Sequence, residues 1–186
     1  MTIGYSITAS DNDSYMCSSC DKVHANMKGL SICAKCGYRT DFEYINKDFK
    51  VKKRIYDISY TYDGYCIVSI KFKEACLRAE FSGIDFIDLP NDKEFFYLKS
   101  NNVVKFDIEK RETRFENYCH ACGNYGAIAG ANPAFIKGKL SSDICRTDIM
   151  FGSGNEKHHL LLISSKAKDI VTREKIRGIY FEEIRT

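Results

Sequence analysis

A chain of 186 residues can bury one hydrophobic core of ordinary size, and 44% hydrophobic with 28% charged residues is a globular balance. A net charge of +3 is too mild for a nucleic-acid footprint, and no apolar run is long enough for a membrane-spanning helix. Nine cysteines without a readable secretory signal or lipidation motif point to a reducing, cytoplasmic setting, where paired cysteines suggest metal before disulfide.

In chain order, Cys17, Cys20, Cys33 and Cys36 come first, as two CxxC pairs separated by 12 residues. That is the spacing of a zinc ribbon, two knuckles on a short hairpin with Asn26–Gly29 available for the turn. The basic run KVKKR (50–54) reads as a solvated face. YDISYTYDGY (56–65) alternates and reads as a strand entering a turn at Asp63-Gly64. CIVSI (66–70) suits a buried strand, and the helical spacing after it puts Phe72, Ala75, Cys76 and Ala79 on one face. Ser69 is placed to cap that helix, and Gly83 to end it as a left-handed C′ residue. IDFIDL (84–89) alternates as a strand, and EFFYLKSNNVVKFDIE (94–109) reads as a hairpin about Ser-Asn-Asn.

Farther along, CHACG (119–123) supplies the third CxxC pair. GNYGAIAGANP (123–133) and FGSGNEKHH (151–159) read as loops, the second leaving His158-His159 as a solvated pair. LLLIS (160–164) is another buried strand, followed by a helix capped by Ser164 with Ala167, Ile170 and Val171 on one face. Gly178 then falls at its end, before the alternating strand IYFEEI (179–184).

Residues 69–89 align without a gap on 164–184, at an offset of 95. Ser69/Ser164, Lys71/Lys166, Lys73/Lys168, Arg78/Arg173, Gly83/Gly178, Ile84/Ile179 and Phe86/Phe181 are identical pairs. CAKCG (33–37) and CHACG (119–123) each precede one copy, so the inference is an internal duplication. The expected class is α+β, with duplicated strand–helix–strand units and a zinc-ribbon-like CxxC element. Its expected segments are 1–48 with the ribbon, 49–110 with the first half and hairpin, and 111–186 with the second half.

Six cysteines are therefore candidate ligands for zinc: Cys17, Cys20, Cys33, Cys36, Cys119 and Cys122. Two arrangements are open. The local ribbon uses the first four and leaves Cys119 and Cys122 over, or pairs them with His120, His24 or Cys145. The cross-half site joins Cys33 and Cys36 to Cys119 and Cys122. Either is closed, and so structural rather than catalytic. Cys66, Cys76 and Cys145 read as small buried hydrophobes. Phosphate-loop, nucleophile-elbow, zincin and deaminase patterns are missing from the chain, so an enzyme is not expected and no catalytic residue is assigned.

CAKCG, IVSIKFKEACLRAEFSGIDF, CHACG, SDICR (142–146) and LLLISSKAKDIVTREKIRGIYFEEI occur in an order that resembles the double-CXXCG motif family of toxin immunity proteins, over roughly residues 30–185. The resemblance implies a non-enzymatic cytoplasmic protein that binds and neutralises a cognate protein toxin from a competing or sibling cell. It also implies that Cys33, Cys36, Cys119 and Cys122 share one metal; the additional CSSC at 17–20 departs from the family pattern. The tyrosine-rich segment 56–65 and the glycine-rich segment 123–133 are the first places to look for a partner surface. The residues alone also offer a nucleic-acid-binding or regulatory zinc ribbon, on the ribbon spacing with KVKKR close behind it.

Overall fold

The computed structural model describes residues 3–17 and 27–185. The elements are β1 (Tyr5–Asp11), β2 (Ile58–Tyr60), β3 (Cys66–Ser69), α1 (Ile70–Arg78), β4 (Ile84–Leu89), β5 (Asp92–Ser100), β6 (Val103–Phe106) and β7 (Arg114–Cys119). There follow β8 (Asn124–Ala129), β9 (Ile136–Lys137), β10 (Ile144–Ser153), β11 (His158–Ile163), α2 (Ser165–Arg173) and β12 (Ile179–Glu183). The strands join in one mixed sheet of order β4-β5-β3-β2-β1-β11-β10-β6-β9, with β12 on β1 and the β7–β8 ribbon on β10.

The expected α+β class is overturned. Strand accounts for 41% and helix for 12%, so the molecule is a large sheet carrying two short helices. What repeats is a set of pairings inside that sheet. Ile58 faces Val68 across β2–β3, as Ile144 faces Ile163 across β10–β11. β5 then lies between β3 and β4, while the corresponding place between β11 and β12 is taken by β1, from the other end of the chain. Both helices cover one core, in which Phe72 and Cys76 of α1 and Ala167 and Val171 of α2 pack with Ile7, Ile58, Val68, Ile144 and Ile163. Neither strand–helix–strand segment could bury its apolar face alone, which is the physical reason for a shared sheet.

The helix caps explain why these nine-residue helices hold. Ser69 Oγ accepts from the Phe72 amide and Ser164 Oγ from the Ala167 amide, as their positions predict. The left-handed residue after each helix is Glu80 (φ 53°) or Lys175 (φ 52°), not the expected glycine. Next to them the Phe81 amide donates to the Cys76 carbonyl, and the Ile176 amide to that of Val171. Gly83 and Gly178 serve close approach instead: a Cβ on Gly178 would sit 2.5 Å from the Ile58 carbonyl oxygen.

Two aspartates latch the two helical segments to each other. Asp57 accepts from the Ser69 hydroxyl at 3.1 Å and from the Arg177 amide at 2.9 Å. Asp143 likewise meets the Ser164 hydroxyl at 3.5 Å and the Ser82 amide at 3.0 Å. Each thus ties the cap of one helix to the loop after the other. Burial would raise the Asp57 carboxyl, but the Arg177 amide and guanidinium and the Lys71 ammonium hold it below its ordinary value.

Three local expectations are also corrected. Residues 94–109 do not form a hairpin: β5 pairs with β3 and β4, and β6 with β10 and β9. Alternation marked both strands but carries no information about partners. The glycine-rich 123–133 segment contains β8, paired along β7, and FGSGNEKHH is the end of β10, a single turn, and the start of β11.

Candidate metal centre

Two knuckles of matching build meet at the edge of this sheet. In the first, the Cys33 amide donates to the Tyr38 carbonyl and the Gly37 amide to the Cys33 carbonyl, both at 2.9 Å, while Ile32 bridges to Arg39 behind them. In the second, β7 ends at Cys119 opposite Asn124 of β8, and the Gly123 amide donates to the Cys119 carbonyl at 2.8 Å. Gly37 (φ 77°) and Gly123 (φ 72°) close the turns in the left-handed region that a Cβ disfavours. The CxxCG spelling is thus a statement about backbone geometry.

The four sulfurs of Cys33, Cys36, Cys119 and Cys122 lie within 4.8 Å of one another. Cys33 Sγ is 3.9 Å from Cys119 Sγ, and Cys36 Sγ is 3.8 Å from Cys122 Sγ. A tetrahedral metal with bonds of about 2.3 Å sets its sulfurs about 3.8 Å apart, so the cluster is compatible with one metal ion. The Cys36 and Lys35 amides face the Cys33 sulfur and hold its thiol down at about 7; those of Cys122 and Ala121 lower Cys119 in the same way. Burial pushes Cys36 up to about 11.

Of the six candidate cysteines, the structure therefore brings together the cross-half four. Cys17 lies elsewhere, fully buried, its amide and thiol on Asp63 and its sulfur 3.2 Å from Arg39 Nη1. Burial pushes its thiol up to about 11, against the pull of the Arg39 charge. Cys20 and His24 lie outside the described residues, as does most of the hairpin expected between the ribbon's two knuckles. His120 is exposed, packs edge-on against Tyr118 and is not one of the clustered ligands. Cys66, Cys76 and Cys145 are buried, as their reading as small hydrophobes expects.

Sequence reasoning missed a buried cation beside the cluster. Lys157 is 3% exposed and donates to the Tyr125 carbonyl of β8. Burial lowers its pKa, and negative charge on Cys122 and Cys36 acts to keep it protonated. A metal bound by four thiolates carries net negative charge, which a buried ammonium offsets. Nothing in the spelling NEKHH announces this, because it depends on the turn between β10 and β11 folding over β8.

His158 and His159 are not the solvated loop pair their sequence suggests. They begin β11, where His158 stacks on Tyr60 with ring centres 4.9 Å apart and His159 lies 2.9 Å from Arg146 Nη1. Burial lowers both, and with the Arg146 charge brings His159 down to about 4. Among the described residues no helix is long and apolar enough to cross a membrane. No family model matches the chain, and no curated protein matches it.

Proposed function

We propose that this is a cytoplasmic immunity protein, which binds a cognate protein toxin from a competing or sibling cell and neutralises it without chemistry of its own. One observation carries the reading: the two CxxCG motifs on which the family resemblance rests are the two whose sulfurs converge, while the additional CSSC takes no part through Cys17. The metal is zinc in this reading, since four thiolates in a closed tetrahedron suit zinc and leave no position open for a substrate. Its role is to staple the edge of the sheet, so that a preformed binding surface is presented at small entropic cost.

The nucleic-acid alternative rested in part on KVKKR, of which Lys50 and Lys52 are exposed. Arg54 of the basic run is engaged by Asp92 at 2.6 Å and by Glu94 at 2.5 Å, and Val51 is buried.

Tagged protein captured from its own cells and washed in high salt should retain one stoichiometric protein, toxic to cells lacking the immunity chain and harmless when both are present. A retained partner that is harmless alone, or nucleic acid released by salt with no protein partner, would reject the reading.

A further inference from the structure

A second site lies between the sheet and the segment that follows the first knuckle. The cavity there has a volume of about 80 Å³. At about 10–15 Å³ per water on this measure, it holds several waters or one small polyatomic ion. Its lining is rich in cations and hydrogen-bond donors: Arg39, Arg146, Lys157, His158 and His159. The one carboxylate among the described lining residues, Glu43, is held by Lys99 at 2.7 Å.

Arg39 makes the case strongest. It is 2% exposed, with Nη1 on Cys17 and the Tyr65 hydroxyl and Nη2 on the Asp63 carbonyl. Its Nε is buried and has no hydrogen-bond partner among the described residues. A guanidinium N–H stripped of water and left unpaired is costly, and an acceptor in the adjoining cavity would relieve that cost. Arg146, across the cavity, is held among the described residues only by neutral groups: the Ser100 carbonyl at 3.1 Å, the Thr147 carbonyl at 3.4 Å and the His159 ring. Both imidazoles are depressed by burial, so at neutral pH each offers one ring N–H and one lone pair.

We propose that this cavity binds a small oxyanion, a phosphate or carboxylate group, between Arg39 and Arg146. The unpaired Arg39 Nε–H and the Arg146 guanidinium supply charged donors for the oxygens of either group, and a water-poor setting strengthens the contact. The site is independent of the toxin-binding reading and needs no residue of the metal cluster.

Thermal unfolding of the metal-loaded protein tests it, with inorganic phosphate in one arm and succinate in the other, each matched in ionic strength by sodium chloride. A saturable rise of about 3–6 °C at ten times the dissociation constant is expected for the carrier that fits, and should vanish in Arg146→Met. NMR of the arginine Nε–H groups in the wild-type protein supplies a readout that needs no variant to fold. The Arg39 and Arg146 resonances should move with the same anion, with metal content unchanged. A response equal to that of chloride, resonances that stay still with both anions, or a full response in Arg146→Met would overturn the proposal.

Discussion

Replacing Cys119 and Cys122 together by serine removes half the sulfur cluster and leaves the rest of β7 and β8 in place. The cost can be worked from chain length. Metal between the two knuckles links Cys36 to Cys119 across 82 intervening residues, positions 37 to 118. Closing a loop of that size removes entropy from the unfolded chain worth about 4–5 kcal/mol. Total stability for a domain is about 5–15 kcal/mol, so the staple is a major share of it. At about 2–4 °C per kcal/mol for a chain of this size, the double variant should unfold roughly 10–18 °C below wild type. Calorimetry gives the midpoint, and metal content after gel filtration with a mild chelator gives the stoichiometry. The local ribbon would close only the 12 residues between Cys20 and Cys33, a loop worth about 3 kcal/mol, and would survive loss of Cys119 and Cys122. Cys17→Ala is the converse variant: it should cost about 1–2 kcal/mol through lost core packing and the Arg39 contact, yet leave metal content unchanged. A double variant that keeps one metal per chain and melts with wild type, or a Cys17→Ala protein without metal, would refute the argument.

Lys157→Met should weaken metal retention by about 10–100-fold in competition with a chromogenic chelator, because it removes the buried positive charge beside Cys36 and Cys122. Equal retention would show that the cluster's charge is balanced elsewhere. Gly178→Ala should destabilise by about 2–4 kcal/mol in denaturant titration, since φ is 88° and the new methyl would meet the Ile58 carbonyl oxygen at 2.5 Å. For pH, His159 has a folded-state value of about 4, below the ordinary value of 6.5, so the unfolded chain binds the extra proton first. Its contribution is whole above about pH 6.5 and fades as pH falls towards 4, by about 1 kcal/mol between pH 7 and 5.5. His159→Gln should flatten that part of the stability profile, with the difference between the two proteins cancelling acid release of metal. An unchanged slope would mean that burial and the Arg146 charge do not hold the ring neutral.

What could be read in the sequence was whatever a few adjacent residues decide. The CxxCG turns, the serine caps and the apolar runs 66–70 and 160–164 are local, and their residues have the geometry their spelling requires. Partners were a different matter. Two alternating runs flanking Ser-Asn-Asn looked like a hairpin, yet the Arg146 amide donates to Asn102 and the Asn101 amide to Gly83, sending the strands to different neighbours. β8 was hidden because glycines at 123, 126 and 130 signal turns, whereas here Gly126 lets Asn117 pack close across the ribbon. Choosing among the six cysteines likewise required knowing that β7 ends beside the first knuckle. Arg39 and Lys157 could not have been found at all, since each acquires its role from chain segments far from it in sequence.

β1 has a consequence for the order in which the molecule is made. Tyr5 pairs with Ile163 on one edge and Glu183 on the other, so β1 leaves the ribosome 158 residues before one of these partners (163 − 5) and 178 before the other (183 − 5). Until they arrive, Ile7 of β1 lacks its packing against Leu161, Ile163, Ala167 and Val171. Pairing across such separations is slow and leaves the nascent chain prone to aggregation. The interval between synthesis and a finished sheet is therefore a period of vulnerability for the chain. A cell that relied on this protein would gain more from a standing stock of folded molecules than from making them on demand.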